Sequence, residues 1–368
     1  MNNIVKTFID LVKIDSESYN EKEFCNYLTE IFNNLDMEVY VDKKSMEKTH
    51  SDSPNLIVKM KAVNSDKTPV GFSCHMDTVK PGKNIEPVIE NDLIKSSGNT
   101  ILASDDKSGI AAIIEACKKI QTENKGNREA WFVFTTCEEV GLLGAKHFDY
   151  SLIQGLKNLI VLDSGGSFGQ IITKAPSQNS IKFTVKGKKA HAGVEPEKGI
   201  NAIYAASCGI SKMKLGRLDS ETTCNIGLIN GGTATNIVPD IVKIEGEARS
   251  LSDEKLEKVT KDMISAMEEA CRENNTELET VCINEYKAYN LSENSPFIQE
   301  IKHAVEKVGS QPKIASTGGG SDTNIHNANG LNAVNMSTGM MNPHTSDEFI
   351  KIEDLIKTSD FIYEMLKA

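Results

Sequence analysis

The chain has 368 residues, 39% of them hydrophobic and 25% charged, so it can bury a sizeable core, and its length alone suggests two domains. Lys and Arg number 41 against 52 Asp and Glu, a net charge of −11. That balance repels phosphate backbones, and no polybasic cluster is present to dock on an anionic membrane, so nucleic-acid and membrane partners are not expected.

Ile4, Phe8 and Leu11 fall at helical spacing within residues 2–13, while Lys6, Asp10 and Lys13 interrupt the apolar run. This is not the core of a signal peptide, and no apolar stretch approaches the ~18 residues of a membrane span, so a cytoplasmic location is expected. Eight cysteines are scattered singly, with no CxxC pair, which fits reduced, buried thiols rather than a thiolate metal site.

The spacing predicts a second helix over 21–35, then strands over 56–60 and 70–73. A helix begins near Lys107, with Ile110, Ile113, Ile114, Cys117 and Ile120 on one stripe. Buried strands follow at 131–135 and 159–162. The alternation predicts an α/β domain with a largely parallel sheet. The pattern changes near residues 174–176. A strand at 181–185, a helix over about 201–213, strands around 226–229 and 241–248, a helix over about 253–274 and a strand at 279–284 give the order β-α-β-β-α-β. That is the split-βαβ, ferredoxin-like α+β pattern. The tail returns to α/β style, with a helix at 297–308, a short strand at 313–315, a Gly-rich loop at 316–322 and a last helix over 351–367. The expected layout is a catalytic α/β domain from 1–175 and 288–368, with residues 176–287 inserted as a second domain.

Five polar clusters end apolar strands or open loops, where α/β sheets place their ligands. In VGFSCHMDTV, His75 and Asp77 share one face of a strand, and a carboxylate beside a histidine can fix its tautomer. A histidine satisfied in a turn would read the same way. In ILASDDKSGIAAII, two aspartates meet the start of an apolar helix. Capping explains one of them, and Asp105 could instead bridge two cations, one on each oxygen. In WFVFTTCEEVG, the adjacent Glu138 and Glu139 repel each other unless a cation or proton intervenes. One can ligate while the other, with its pKa raised, acts as a base. The alternative is a solvated helix start. In NLIVLDSGGSFG, Asp163 ends a strand. Residues 164–169 mimic part of a dinucleotide fingerprint, but a proline and a strand follow where a helix would be needed. In MMNPHTSDEF, His344 follows a proline, with Asp347 and Glu348 beyond.

Together these supply His75, Asp105, Glu139, Asp163 and His344, two imidazoles and three carboxylates. If Asp105 bridges, each of two metals gains one histidine, one terminal carboxylate and a shared carboxylate, the arrangement of a two-metal hydrolase. Oxygen and nitrogen donors without thiolate suit zinc, with cobalt or manganese as substitutes.

The order HMD, SDDK, CEEVG, a strand-end aspartate and PHTSDE resembles the M20 family of co-catalytic zinc peptidases over nearly the whole chain. The segment GKKAHAGVEPEKGINAI is similar to that family's lid domain, and its HAGVEPEKGINA form is most similar to peptidase T-like members, which resemble tripeptide aminopeptidases. The resemblance implies two zinc ions per subunit, with His75 and Asp163 on one, Glu139 and His344 on the other and Asp105 between them. It implies that Asp77 orients His75, that Glu138 is the general base, and that Asp105 and Asp106 are joined by a cis peptide. It further implies a homodimer acting on short peptides. In that dimer His191 reaches the partner's active site, while Asn236, Arg249 and the backbone of Gly319 and Gly320 bind substrate. An ion pair with a nearby glutamate is the plainer reading of Arg249. A carboxypeptidase, a dipeptidase and an N-acyl amino acid deacylase remain open as alternative activities within the same resemblance.

Overall fold

The computed structural model describes residues 2–368 and resolves into two compact units. The first runs to Thr173 and resumes over Leu291–Ser316 and Ser321–Ala368; the second comprises Lys174–Asn290 and Thr317–Gly320.

A mixed sheet organises the first unit, in the order Glu38–Asp42, Asn55–Met60, Ala130–Thr135, Val70–His75, Asn158–Ser164, Asn332–Ser337, Gln170–Ala175. The four strands from Ala130–Thr135 to Asn332–Ser337 are mutually parallel, and the flanking strands are antiparallel to their neighbours. The parallel expectation therefore holds for the centre and needs correction at the edges. The reason is the length of the connections. Residues 165–169 are too few for a crossover, so the chain can only reverse into Gln170–Ala175.

One face of the sheet carries Leu56, Val58, Phe72, Phe132, Phe134, Ile160 and Leu162, packed with Phe8, Phe24, Leu28, Phe32 and the Ile110–Ile114 stripe. Phe132 stacks on Phe32 and Phe72, with ring centroids 6.2 and 6.0 Å away. The other face buries Ile57, Trp131, Val133, Leu159 and Val161 under Phe148, Ile153, Leu156 and Leu331. Helical φ/ψ angles begin after Asp106 in the long helix spanning Ser104–Glu123. A Cβ at Gly109 would lie 2.7 Å from Cys74 Sγ and 2.9 Å from Leu162 Cβ, so glycine lets that helix settle directly on two central strands.

The second unit is an antiparallel sheet in the order Gly216–Arg217, Thr222–Gly231, Ile241–Ser250, Ser177–Lys186, Glu277–Tyr286. Helices Ala202–Lys212 and Asp253–Glu273 pack on it through Ala205, Ala206, Met263 and Met267, against Phe183, Val185, Val242 and Ile244. Asn201 and Ser252 cap the two helices by accepting the amides of Tyr204 and Lys255. This is the ferredoxin-like β-α-β-β-α-β order. All eight cysteines are unpaired, six of them buried. Among the described residues no helix is long and apolar enough to cross a membrane.

Phe132→Ala is expected to destabilise the first unit by ~3–5 kcal/mol, because the stacked core cannot close over so large a cavity. Chemical denaturation followed by the near-ultraviolet signal of Trp131 measures it.

Candidate active site

Because the central strands are parallel, their carboxyl ends share one edge. His75 pairs with Thr135, and Ser73 pairs with Val161, which brings His75 level with Asp163. Two residues beyond Thr135 the chain turns through Cys137, whose φ is 53°, and presents Glu138 and Glu139. Asp105 arrives from the loop before the long helix, and its peptide bond to Asp106 is cis. His344 arrives from the loop beyond the strand Met340–Met341, itself in a left-handed conformation with φ 65°.

The Asp105 carboxylate lies between the two histidines. Its Oδ1 is 3.0 Å from His75 Nε2 and its Oδ2 is 3.1 Å from His344 Nε2. His75 Nε2 is also 3.9 Å from Asp163 Oδ1, and His344 Nε2 is 2.9 Å from Glu139 Oε1. The ligand atoms form the groups His75–Asp105–Asp163, Asp105–Glu139–His344 and His75–Glu138–Glu139, each within 4.8 Å.

His75 Nδ1 lies 2.9 Å from the Asp77 carbonyl, so its N–H donates there and Nε2 is left facing the acidic cluster. The Asp77 carboxylate stands farther from Nδ1, at 3.5 Å. It accepts instead from the amides of Glu138 (2.9 Å) and Glu139 (3.2 Å) and from the Ser18 hydroxyl (2.7 Å). Asp77 thus joins the histidine strand to the turn carrying both glutamates.

Crowding of carboxylates dominates the electrostatics. Burial, reinforced by Asp163, pushes Glu138 well above the usual carboxylate range. Burial and the charge of Asp105 do the same to Asp163. Burial also raises Glu139 and outweighs its bond with His344. At Asp105 burial opposes ionisation, but the bonds to His344 and His75 win and hold its carboxyl far down. His344 is driven up to about 10 by Asp105 and Glu139. The Lys107 ammonium, pushed down to about 7 by burial, points away, donating to the Ile14 carbonyl at 2.6 Å. The cluster therefore draws positive charge towards itself. The two imidazoles answer part of that demand, and divalent cations would satisfy the same donor atoms. Glu139 Oε1 is buried and meets His344 Nε2, a pairing that two ligands of one ion would make.

Several supporting residues carry no signature in the sequence. Asn335 accepts the Asp163 amide (3.2 Å) and donates to the Asp163 carbonyl (2.7 Å). Glu21, fully buried, accepts the Cys137 amide (3.0 Å) and the Ser51 hydroxyl (2.6 Å). Asp322, raised to about 6 by burial, accepts from Thr135 Oγ1 at 2.5 Å. A buried polar residue beside a strand end was the available signal, but each of these stands alone in its segment. His326 is buried against Tyr150, whose hydroxyl is 2.9 Å from Nδ1, while His50, His147 and His303 are exposed.

In the second unit, His191 is exposed and pairs with Ile237, next to Asn236, whose carbonyl accepts the Ala192 amide. Glu247 holds Arg249 by two bonds of 3.0 Å, from Nε and Nη2, and Nη1 lies 3.4 Å from the Gly318 carbonyl. The ion pair foreseen for Arg249 is thus present, and it leaves the Nη1 side of the guanidinium uncovered by Glu247. The Gly319 amide donates to Thr317 Oγ1, and a Cβ at Gly320 would lie 2.2 Å from the Tyr286 ring.

An α/β sheet edge that gathers two imidazoles and a surplus of buried carboxylates is the constellation of a metal-dependent hydrolase. Similarity to known proteins narrows this class. Residues 177–275 match the peptidase dimerisation domain of the M20 peptidases, and residues 55–201 match peptidase family M28. The aminopeptidase PepT of Bacillus cereus has 40% sequence identity and a TM-score of 0.91, over 99% of this chain and 97% of that one. A tripeptidase of Staphylococcus aureus has 33% identity and a TM-score of 0.94, over 99% and 97%. The uncharacterized protein YqjE of Bacillus subtilis is 41% identical over 99% of this chain and 97% of its own length. The chain belongs to the M20 family of metallopeptidases, among its peptidase T-like members.

Burial pushes His326 down to about 3, below the ~6.5 of an unfolded histidine. As pH falls through 6.5 the unfolded chain takes up a proton that the folded chain refuses, so this contribution to stability is lost progressively until about pH 3. Between pH 7 and pH 5 the loss amounts to about 2 kcal/mol. His326→Asn, compared with wild type in metal-free protein by urea denaturation at both pH values, is expected to shrink the gap by that amount.

Proposed function

We propose that this chain is a two-metal aminopeptidase acting on short peptides, tripeptides foremost, with two zinc ions per subunit and cobalt or manganese as substitutes. The observation that carries the reading is the Asp105 carboxylate, whose two oxygens face two different imidazoles. One ion would be held by His75, Asp163 and Asp105, the other by Glu139, His344 and Asp105. Bound there, the ions supply Lewis acidity to the scissile carbonyl and lower the pKa of the attacking water towards ~7.

The protein's own residues do the rest. Asp77 fixes the backbone from which Glu138 projects. Glu138, drawn towards protonation by its surroundings, takes the proton of the attacking water and returns it to the leaving amine. His191, Asn236, Arg249 and the backbone of Gly319 and Gly320 are proposed to bind substrate, with His191 acting on the partner's site in a homodimer. The match to a dimerisation domain supports the dimer, as do Leu228, Ile229, Val281 and Ile283, apolar side chains exposed on strands of the second unit. The relatives described as an aminopeptidase and a tripeptidase support the substrate class.

Glu138→Gln is expected to retain both metals, by elemental analysis, and to lower kcat by ~10²–10⁴-fold with little change in KM. Near-normal turnover would remove Glu138 from this role. Chelation should abolish cleavage, and zinc or cobalt should restore it. On a panel of di- and tripeptides with free and blocked ends, free-amine tripeptides should be cleaved best. Faster cleavage of N-acylated substrates would reassign the chain to a deacylase.

A further inference from the structure

Glu348 lies four residues beyond His344, just before the strand Phe349–Lys351, which pairs with Leu93–Ser96. Its side chain is buried to 1% exposure. Four donors meet on its carboxylate. Oε2 accepts the amides of Leu102 (2.7 Å) and Ala103 (3.0 Å), and Oε1 accepts the Ser104 hydroxyl (2.5 Å) and the Asp105 amide (3.1 Å). All four come from the single segment that delivers Asp105. That segment holds an unfavourable backbone, because Ala103 is left-handed at φ 63°, a conformation alanine adopts when its surroundings impose it.

We propose that Glu348 is a positioning residue for the metal centre. It templates residues 102–105 so that the Asp105 carboxylate stands between the two histidines, and it ties that segment to the loop bearing His344. The inference rests on the reading of Asp105 and His344 as metal ligands. Occupancy of the centre would then depend on a carboxylate that itself touches neither ion. A carboxylate is required because a glutamine has one accepting oxygen. In either orientation its amide nitrogen would face at least one backbone amide of the segment, leaving that N–H without an acceptor.

The test is titration of metal-free full-length protein with Co²⁺, read by calorimetry and by visible absorption. Circular dichroism and the melting temperature of the metal-free protein report general destabilisation separately. Wild type should bind two ions per chain, and Asp105→Asn should lose this behaviour. Glu348→Gln should weaken Co²⁺ binding by ~10–100-fold and alter the absorption bands while the fold persists. Ser104→Ala, which deletes one donor and spares the carboxylate, should weaken binding by a smaller factor. If Glu348→Gln binds as wild type does while Asp105→Asn does not, the positioning role is wrong and the ligand assignment stands. If Asp105→Asn also binds as wild type does, the ligand assignment fails and the positioning role falls with it. Should Glu348→Gln not fold, Ser104→Ala decides alone, and unchanged Co²⁺ affinity there overturns the proposal.

Discussion

Repulsion among carboxylates gathered at one edge of a buried sheet governs this protein. Asp105, Glu138, Glu139 and Asp163 come from three separate segments, and their surroundings oppose ionisation of each by burial. Left as anions they would drive the loops apart, because the protein around them screens charge far less than water does. Protonated, they would neither ligate nor accept a proton. The imidazoles of His75 and His344 resolve part of this tension by leaning on Asp105, and cations would resolve the rest. Demand for positive charge is thus created by the fold, and the peptidase chemistry of the family draws on it.

Such a cluster has to be held by something other than itself. The anchoring comes from backbone amides caught by carboxylates outside the cluster's first ring. Asp77 catches the amides of both glutamates, Glu21 that of Cys137 and Glu348 three amides ahead of the long helix. An amide donating to a carboxylate makes a strong bond in a buried setting, and it fixes the main chain without blocking the ligand side chains. Acidic residues therefore serve two purposes here. Some make up the cluster, and others fix the backbone from which those project.

The fold was legible where periodicity is local. The Ile110–Ile120 stripe, the buried strands ending at His75 and Asp163 and the β-α-β-β-α-β order all follow from spacing along the chain. The edge strands were less legible, since direction is set by connections such as residues 165–169 rather than by composition. Within the site, the strand-end residues were readable because strand ends are where polar residues break an apolar run. The role of Glu348 was not, because it closes the PHTSDE motif but its partners lie more than 240 positions away. Asp77 was half readable. Its proximity to His75 follows from H-x-D spacing, but its grip on residues 138 and 139 depends on the register between two strands.

Backbone strain makes the same point from another direction. Ala103, Cys137 and His344 are three non-glycine residues with φ of 63°, 53° and 65°, each a proposed ligand or within two residues of one. None has the freedom of glycine, and conformations of this kind cost on the order of 1–2 kcal/mol apiece. Each is restrained by a carboxylate. Glu348 holds the amide of Ala103, Glu21 that of Cys137, and Asp105 with Glu139 the ring of His344. A sharp left-handed turn is what lets a loop leave a strand end and aim its next side chain back over the sheet edge. The anionic surplus of the site and its strained loops are therefore parts of one solution. Carboxylates outside the cluster restrain the turns at Ala103 and Cys137, and the cluster's own Asp105 and Glu139 restrain the third at His344.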